Sequence, residues 1–194
     1  MRVPTVFSLA HERGLSTAAF YSKSKFQTIE APGSLDYAEG PRHESELWSA
    51  ERTAREVDRY LRRARPNLLF VHIADTDYAG HTWGWMGYLY GRAVRSADRA
   101  VADVLASADL AFGRGAYTVI LTADHGGHGR SHGSDDPQDT LIPWVIWGEG
   151  VRPGVALERD PHTMDTAATA LWMLAVPVPA NWVGVPVTEA IAKH

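Results

Sequence analysis

The sequence predicts a three-layer α/β/α sandwich with a mostly parallel β-sheet. Two continuous apolar runs of strand length, LLFVHIA (68–74) and YTVILTA (117–123), are typical of strands whose two faces are both covered by helices. Segments with helical periodicity alternate with these runs along the chain. Such alternation favours an α/β domain with a largely parallel sheet.

The first half of the chain is predicted to form two helices and two strands. A short amphipathic helix has Pro4 inside its start and Gly14 just past its end. Residues 16–21 form the first strand. Apolar residues recur at three- and four-residue spacing over residues 44–64, which predicts a helix with a charged outer face. The apolar run 68–74 is the second strand.

The second half continues the same alternation. Apolar positions over residues 90–105 mark a long helix, and the run 117–123 is a buried strand. IPWVIW (142–147) makes a further strand, and residues 165–174 form a last helix. Because we find no internal repeat and no linker, we expect a single domain over residues 1–194.

Composition excludes several kinds of partner and site. The chain has no cysteine, so any metal must be bound by oxygen and nitrogen ligands. Its net charge of −4, with basic and acidic residues interspersed, provides no patch for nucleic acid. No apolar run reaches the ~18 residues of a transmembrane helix, so the chain as given is predicted to be soluble, without a membrane segment. Neither oligomeric state nor cellular location is indicated.

Two loops rich in acids and histidines directly follow the two strongest strands. ADTDYAGH follows the first and ADHGGHGRSHG follows the second. In parallel sheets, ligands bind beyond the carboxyl ends of the strands, so both loops are expected to face one crevice. Clusters of imidazole and carboxylate without thiols suit a hydrolytic metal site with zinc, manganese or iron.

Local spacing is compatible with such a site. Asp124 and His125 are adjacent and would point to opposite faces of a strand, so they converge only if Gly126 and Gly127 allow a sharp turn. A calcium loop of the EF-hand type is excluded, because DTDYAG lacks the required oxygen ligands and the closing glutamate.

Three segments carry a resemblance to a known family: DYAGH (77–81), TADHGGHGRSHG (122–133) and the following IPWVIWGEGV. They resemble the metal-binding segments of the alkaline phosphatase superfamily, and most closely its type I phosphodiesterase / nucleotide pyrophosphatase-like members. Sulfatases and cofactor-independent phosphoglycerate mutases share that core. The similarity extends over nearly the whole chain, including PTVFSLAHERG, and implies an alkaline phosphatase-like fold.

The resemblance implies two divalent metal ions, zinc by preference and manganese as the alternative, that together hold a phosphoryl group. It implies that Asp77, His81 and His132 bind the first ion, and that Asp124 and His125 bind the second. Two metal ions about 4 Å apart can stabilise both the attacking and the leaving oxygen of an in-line displacement.

Other residues remain as alternatives or as accessory candidates. His128, in the same loop, and His162, ahead of the last helix, are the alternatives to His132; the start of that helix is better explained by Thr163 or Asp165 as its N-cap. Trp83 and Arg130 are candidates for substrate binding, through stacking and phosphate contact respectively.

No functional role is assigned to three further residues. Lys23 and Lys25 are interpreted as solvated loop charges. His72, inside a buried strand, is interpreted as a hydrogen-bonded core residue.

These observations predict a metal-dependent hydrolase of phosphate mono- or diesters with a small-molecule substrate. In the superfamily, a further Asp and the Ser or Thr nucleophile come from an N-terminal segment, and nothing before Asp77 fits that pattern, since Asp36 lies in a loop. We therefore expect an N-terminally truncated chain that lacks the first strand or strands and is inactive as given. The alternatives are a phosphomutase or sulfatase on the same scaffold, or a non-catalytic metal-binding module.

Overall fold

A parallel three-stranded sheet carries one half of the predicted crevice. The computed structural model describes residues 3–192, so residues 1, 2, 193 and 194 of the predicted domain lie outside it. The sheet has the order β2-β1-β3, with both pairings parallel, and its strands are β1 (Thr17–Tyr21), β2 (Tyr37–Glu39) and β3 (Leu68–His72). A separate antiparallel pair joins β4 (Thr118–Thr122) to β5 (Trp144–Gly148).

Helices occupy most of the remaining chain. They are α1 (Val6–His11), α2 (Ala50–Leu61), α3 (Asp75–Trp83), α4 (Tyr88–Phe112), α5 (Pro137–Thr140) and α6 (Thr163–Met173), with 3-10 turns at Ser24–Ile29 and Thr188–Ala190. None of the helices within residues 3–192 is long and apolar enough to cross a membrane.

Both faces of the parallel sheet are covered. Ala18 and Phe20, on one face of β1, pack with Val57 of α2 and Ala108 of α4 in the main core cluster. Because side chains alternate along a strand, Phe70 of β3 points to the other face from its neighbours in the sequence. There the Phe70 ring meets Phe7 of α1 with 6.0 Å between centroids. The predicted α/β class with a parallel sheet and helical layers is confirmed.

The direction of β5 differs from the prediction, which placed it in a mostly parallel sheet. Thr122 pairs with Trp144 and Thr118 with Gly148, so β5 runs antiparallel to β4. A parallel connection needs a crossover of a dozen or more residues, usually a helix that covers the sheet. The segment between β4 and β5 contains only the single turn α5 and folds back over the site, so the chain returns antiparallel.

Several element boundaries also differ. The segment 75–83, expected as a loop, is the helix α3, and it places residues four apart on one face. Helix α2 begins at Ala50 rather than at residue 44, because Ser49 caps it by accepting a hydrogen bond from the Arg52 amide at 3.2 Å. Thr5, not Pro4, marks the start of α1. Strands β3 and β4, expected to be buried, are mostly half-buried.

Candidate metal centre

The ends of β3 and β4 bring together side chains from two distant segments. Directly after β3, the first turn of α3 carries Asp77, and His81 follows one turn later on the same face. The loop after β4 carries His125 and His132. The convergence of the two segments expected from the sequence is observed.

Asp77 lies at the centre of this convergence. Its Oδ1 atom is 3.5 Å from His81 Nε2, 3.5 Å from His125 Nε2 and 3.6 Å from His132 Nε2. Ligand atoms of Asp77, His81 and His132 all lie within 4.8 Å of one another. These are the three residues that the resemblance assigns to the first ion.

The geometry fits a metal ion. Asp77 Oδ1 is buried and finds no hydrogen-bond partner among residues 3–192. A buried carboxylate oxygen without a partner is costly unless a cation satisfies it. Ligand atoms at ~2.0–2.1 Å from a tetrahedral zinc are about 3.3–3.5 Å from one another. The measured separations from Asp77 Oδ1 are close to that spacing.

Backbone carbonyls orient two of the histidine rings. His81 Nδ1 lies 3.0 Å from the Arg130 carbonyl, and His125 Nδ1 lies 2.7 Å from the Gly126 carbonyl. A carbonyl oxygen only accepts, so each Nδ1 must carry the proton and donate. The Nε2 atoms of both rings are directed towards Asp77. Metal-binding histidines usually donate from one ring nitrogen to a carbonyl or carboxylate and bind the metal through the other.

Asp124 extends the cluster outward. Its side chain is 58% exposed, and its Oδ2 atom is 3.7 Å from His125 Nε2. His125 therefore lies between Asp77 and Asp124, and its ring stacks on that of His132 with 3.6 Å between centroids. The pair assigned to the second ion is adjacent to the first three residues and open to solvent on the side of Asp124.

Lys23 is a member of the site that the sequence interpretation missed. It donates to Asp77 Oδ2 and forms an ion pair with it, instead of being a solvated loop charge. Burial raises the pKa of Asp77, but Lys23 and the nearby His81 and His125 outweigh this effect and hold the pKa below its ordinary value. A signal was available, because Lys23 follows β1 by two residues and so lies at the same carboxyl edge of the sheet as Asp77.

Neither alternative to His132 belongs to the group of Asp77 and His81 within the described residues. His128 Nδ1 donates to Asp139 Oδ1 at 2.8 Å. That hydrogen bond raises the pKa of His128 and holds the pKa of Asp139 well below its usual range. His132 itself has a lowered pKa, through burial and then the proximity of His125, which favours the neutral form that binds metals.

His162 lies at the N-cap of α6, where its backbone amide donates to Asp165 Oδ2 at 2.9 Å. The expectation that Thr163 or Asp165 is the N-cap is therefore wrong. Asp165 is the third helical residue, and its carboxylate also pairs with Arg159 at 2.7 Å.

The two accessory candidates are exposed, and a different tryptophan is central. Trp83 is 49% exposed, and within residues 3–192 the only aromatic ring that its indole meets is that of Tyr78. Arg130 is exposed and contributes its carbonyl, not its guanidinium, to the observed contacts. Trp85, by contrast, packs edge-on against His81 and His132, with centroid distances of 5.1 and 5.9 Å.

The glycines after His125 are required for close packing rather than for a left-handed turn. Gly126 and Gly127 are not among the residues with positive φ. A Cβ at Gly126 would overlap the Gln138 carbonyl, and one at Gly127 would overlap the Trp85 indole. These glycines are therefore required for close approach of the backbone to its neighbours; that they also permit a sharp turn after Asp124 stays a prediction.

The amino-acid sequence is similar to those of known proteins. A family model described as type I phosphodiesterase / nucleotide pyrophosphatase matches residues 3–145. GPI ethanolamine phosphate transferase 1 of Candida glabrata is 29% identical over 162 residues, covering 74% of this chain and 18% of that protein. The Homo sapiens protein of the same name is 27% identical over 139 residues, covering 61% of this chain and 15% of its own length. The chain spans less than a fifth of the length of these curated relatives.

Solved structures support the same fold. A sulfatase-like protein from Bacteroides thetaiotaomicron superposes with a TM-score of 0.68 at 17% identity, covering 99% of this chain and 57% of that one. Phosphoglycerate mutase of Leishmania mexicana gives a TM-score of 0.61 at 19% identity, covering 92% and 38%. These likenesses show the fold. With the family model matching most of its length, the chain belongs to the type I phosphodiesterase / nucleotide pyrophosphatase family.

Proposed function

We propose that this chain provides the metal-binding part of an enzyme that cleaves phosphate esters. The first divalent ion, zinc by preference or manganese, is bound by Asp77, His81 and His132. Asp124 and His125 are ligands of a second ion. The observation that supports this proposal most is the buried Asp77 Oδ1 atom, which has no hydrogen-bond partner within residues 3–192 and lies 3.5–3.6 Å from three imidazole nitrogens.

The side chains of the site have distinct tasks in this proposal. Asp77 offers Oδ1 as a ligand while Lys23 engages Oδ2, so the carboxylate is directed to bind through one oxygen. The carbonyls of Arg130 and Gly126 fix the tautomers of His81 and His125. When bound, divalent ions here would neutralise charge on a phosphoryl group and on the attacking oxygen.

The reaction class is hydrolysis of phosphate mono- or diesters of a small molecule. Transfer of a phosphate ester to another alcohol is the second candidate, because the curated relatives named above are ethanolamine phosphate transferases. Both reactions break the same kind of phosphorus–oxygen bond, and they differ in whether water or an alcohol accepts the group. Trp83 and Arg130 remain candidates for contact with the substrate.

Metal binding is the direct test. Titration calorimetry with zinc, and then manganese, on the metal-free chain is expected to show one tight equivalent and a weaker second one. Asp77→Asn should abolish the tight equivalent, because the ligand oxygen loses its charge, while Asp124→Asn should weaken only the second. The matched control is Asp98→Asn on the exposed face of α4. A tight equivalent that survives in folded Asp77→Asn would refute the assignment.

Activity gives a separate prediction. We assign the attacking nucleophile to none of the 194 residues, so the purified chain is expected not to hydrolyse p-nitrophenyl phosphate or bis(p-nitrophenyl) phosphate, with or without metal. In a polypeptide that also carries the nucleophile, Asp77→Asn should remove the activity. Metal-dependent turnover by the purified 194-residue chain would show that it supplies its own nucleophile, contrary to this prediction.

A further inference from the structure

A buried carboxylate outside the proposed ligand set contacts the histidine loop. Asp139 belongs to the single turn α5 and has a side chain that is 2% exposed. Its Oδ1 atom accepts from His128 Nδ1 at 2.8 Å. Its Oδ2 atom accepts from the Ser134 amide at 2.9 Å and from the Ser134 hydroxyl at 2.7 Å.

These contacts secure both ends of the segment that carries His132. His128 precedes His132 by four residues and Ser134 follows it by two, so one carboxylate connects the two sides of the loop. Between them, the His128 and Ser131 backbones exchange hydrogen bonds of 3.1 and 3.0 Å. The Arg130 carbonyl that orients His81 lies within the same segment.

The backbone of α5 holds the other side of the site. The Gly126 amide donates to the Asp139 carbonyl at 2.7 Å, and the Gly127 amide donates to the Gln138 carbonyl at 2.7 Å. Both glycines directly follow His125. The turn α5 is therefore bonded to the residues beside His125, and its Asp139 side chain is bonded to the residues on either side of His132.

We propose that Asp139 is a positioning residue of the metal centre, which holds His132 through His128 and Ser134 and holds His125 through the α5 backbone. This inference rests on the proposed function, since it assigns metal binding to the residues that Asp139 positions. It also gives His128 a definite role: its ring bonds to Asp139 and is not a metal ligand. Loss of residues that orient metal ligands typically lowers metal affinity about 10- to 100-fold.

The first experiment compares metal affinity in Asp139→Asn with wild type and with Asp135→Asn, an exposed neighbour that serves as the control. Asparagine keeps the size of the side chain but replaces a charged acceptor, so zinc affinity is expected to fall about 10- to 100-fold, with circular dichroism unchanged. Asp135→Asn should stay within about twofold of wild type. Equal affinity in folded Asp139→Asn and wild type would overturn the proposal.

A pair of variants at His128 separates positioning from ligation. An asparagine amide can place a donor close to the position of the histidine Nδ1. His128→Asn is therefore expected to retain most of the zinc affinity, while His128→Ala loses it to the same extent as Asp139→Asn. If His128 were a ligand, His128→Asn would be as defective as His128→Ala, and the role assigned to His128 would be wrong.

Hydrogen exchange in the metal-free chain tests the proposal without any metal. The amides of Gly126, Gly127, His128 and Ser134 should exchange faster in Asp139→Asn, while amides of α2 exchange as in wild type. Unchanged exchange in the loop would refute the positioning role. If the wild-type chain binds no metal, the proposed function fails, and this measurement alone still decides whether Asp139 holds the loop.

Discussion

His72 and Asp75 place two further unpartnered polar atoms at the end of β3. Within the described residues, His72 Nδ1 and Asp75 Oδ2 are buried without hydrogen bonds, so the interpretation of His72 as a hydrogen-bonded core residue is wrong. The His72 ring packs on Phe26 with 4.1 Å between centroids. Burial is the main reason why the pKa of His72 falls to about 4, and burial also raises the pKa of Asp75.

The shift at His72 predicts an acid-sensitive fold. The unfolded chain takes up a proton on this ring below about pH 6.5, whereas the folded chain resists protonation until about pH 4. The free energy of unfolding therefore decreases as the pH falls between these values, by about 2–4 kcal/mol from this residue.

Denaturant unfolding of the metal-free chain between pH 7 and pH 4 measures this loss. His72→Gln should flatten that part of the profile relative to wild type, since it removes the titrating group. His43→Gln, at an exposed position, is the control and should leave the slope unchanged. If the pH profile of His72→Gln were as steep as that of wild type, His72 would not be the group responsible for the loss of stability.

For single residues, residue type and position after a strand predicted the convergence of Asp77, His81, His125 and His132. They did not predict the hydrogen-bond partners. Lys23 reaches Asp77 across 54 positions of the sequence, and the Asp139–His128 bond joins residues 11 apart. Such pairings depend on how loops fold over one another, which has no local periodicity in the sequence.

Helix α3 and the histidine loop are held together through the Trp85 indole. Gly80 of α3 and Gly127 of the loop both approach its ring so closely that a Cβ on either would overlap it. In addition, the Trp85 amide donates to the Gly129 carbonyl at 2.8 Å. The indole thus lies between the two segments that carry the proposed ligands.

Gly80→Ala is predicted to destabilise the chain in spite of helix propensity. Alanine in a helix is favoured over glycine by about 1 kcal/mol, but overpacking a close contact costs about 1–3 kcal/mol. The expected result is a net loss in unfolding free energy and weaker zinc binding. The matched control is Gly91→Ala in α4, where a Cβ meets only an arginine side chain at 3.8 Å and stability should rise. Stabilisation by both substitutions would show that Trp85 does not restrict Gly80.

Element types were predictable where periodicity is strong, as in α2 and α4. The segment 75–83 combines glycine with acids and lacks an apolar stripe, which favours a loop, yet it is helical and buries Ala79 and Gly80. The direction of β5 could not be predicted, because apolar composition specifies burial and not orientation. The short turn α5, which holds the histidine loop, was not predicted either.

In the molecule as a whole, two sheets converge on one site without joining. Within residues 3–192, β3 pairs only with β1 and β4 pairs only with β5, although the loops after β3 and β4 are in contact at Asp77 and His125. Each of the two strands therefore has one edge without backbone partners in the described part of the chain. Leu121 of β4 and its cross-strand neighbour Val145 are 40% and 48% exposed.

Apolar strands with open edges tend to pair with other molecules. We therefore predict that the chain self-associates as its concentration rises, which light scattering measures. Leu121→Lys should reduce this self-association, because a charge disfavours edge pairing. The control is Leu110→Lys on α4, which alters a side chain that is 80% exposed but lies on a helix. If both substitutions had the same effect, general hydrophobicity rather than the strand edge would be responsible.

The proposed function requires that residues from two distant segments form one cation site at Asp77. Anomalous X-ray diffraction at the zinc edge, on crystals of the chain soaked with zinc, tests it most directly. We expect a peak about 2.0–2.1 Å from Asp77 Oδ1 and from the Nε2 atoms of His81 and His132. A fully soaked crystal with no peak there, or with its main peak on His128 or His162, would contradict the claim.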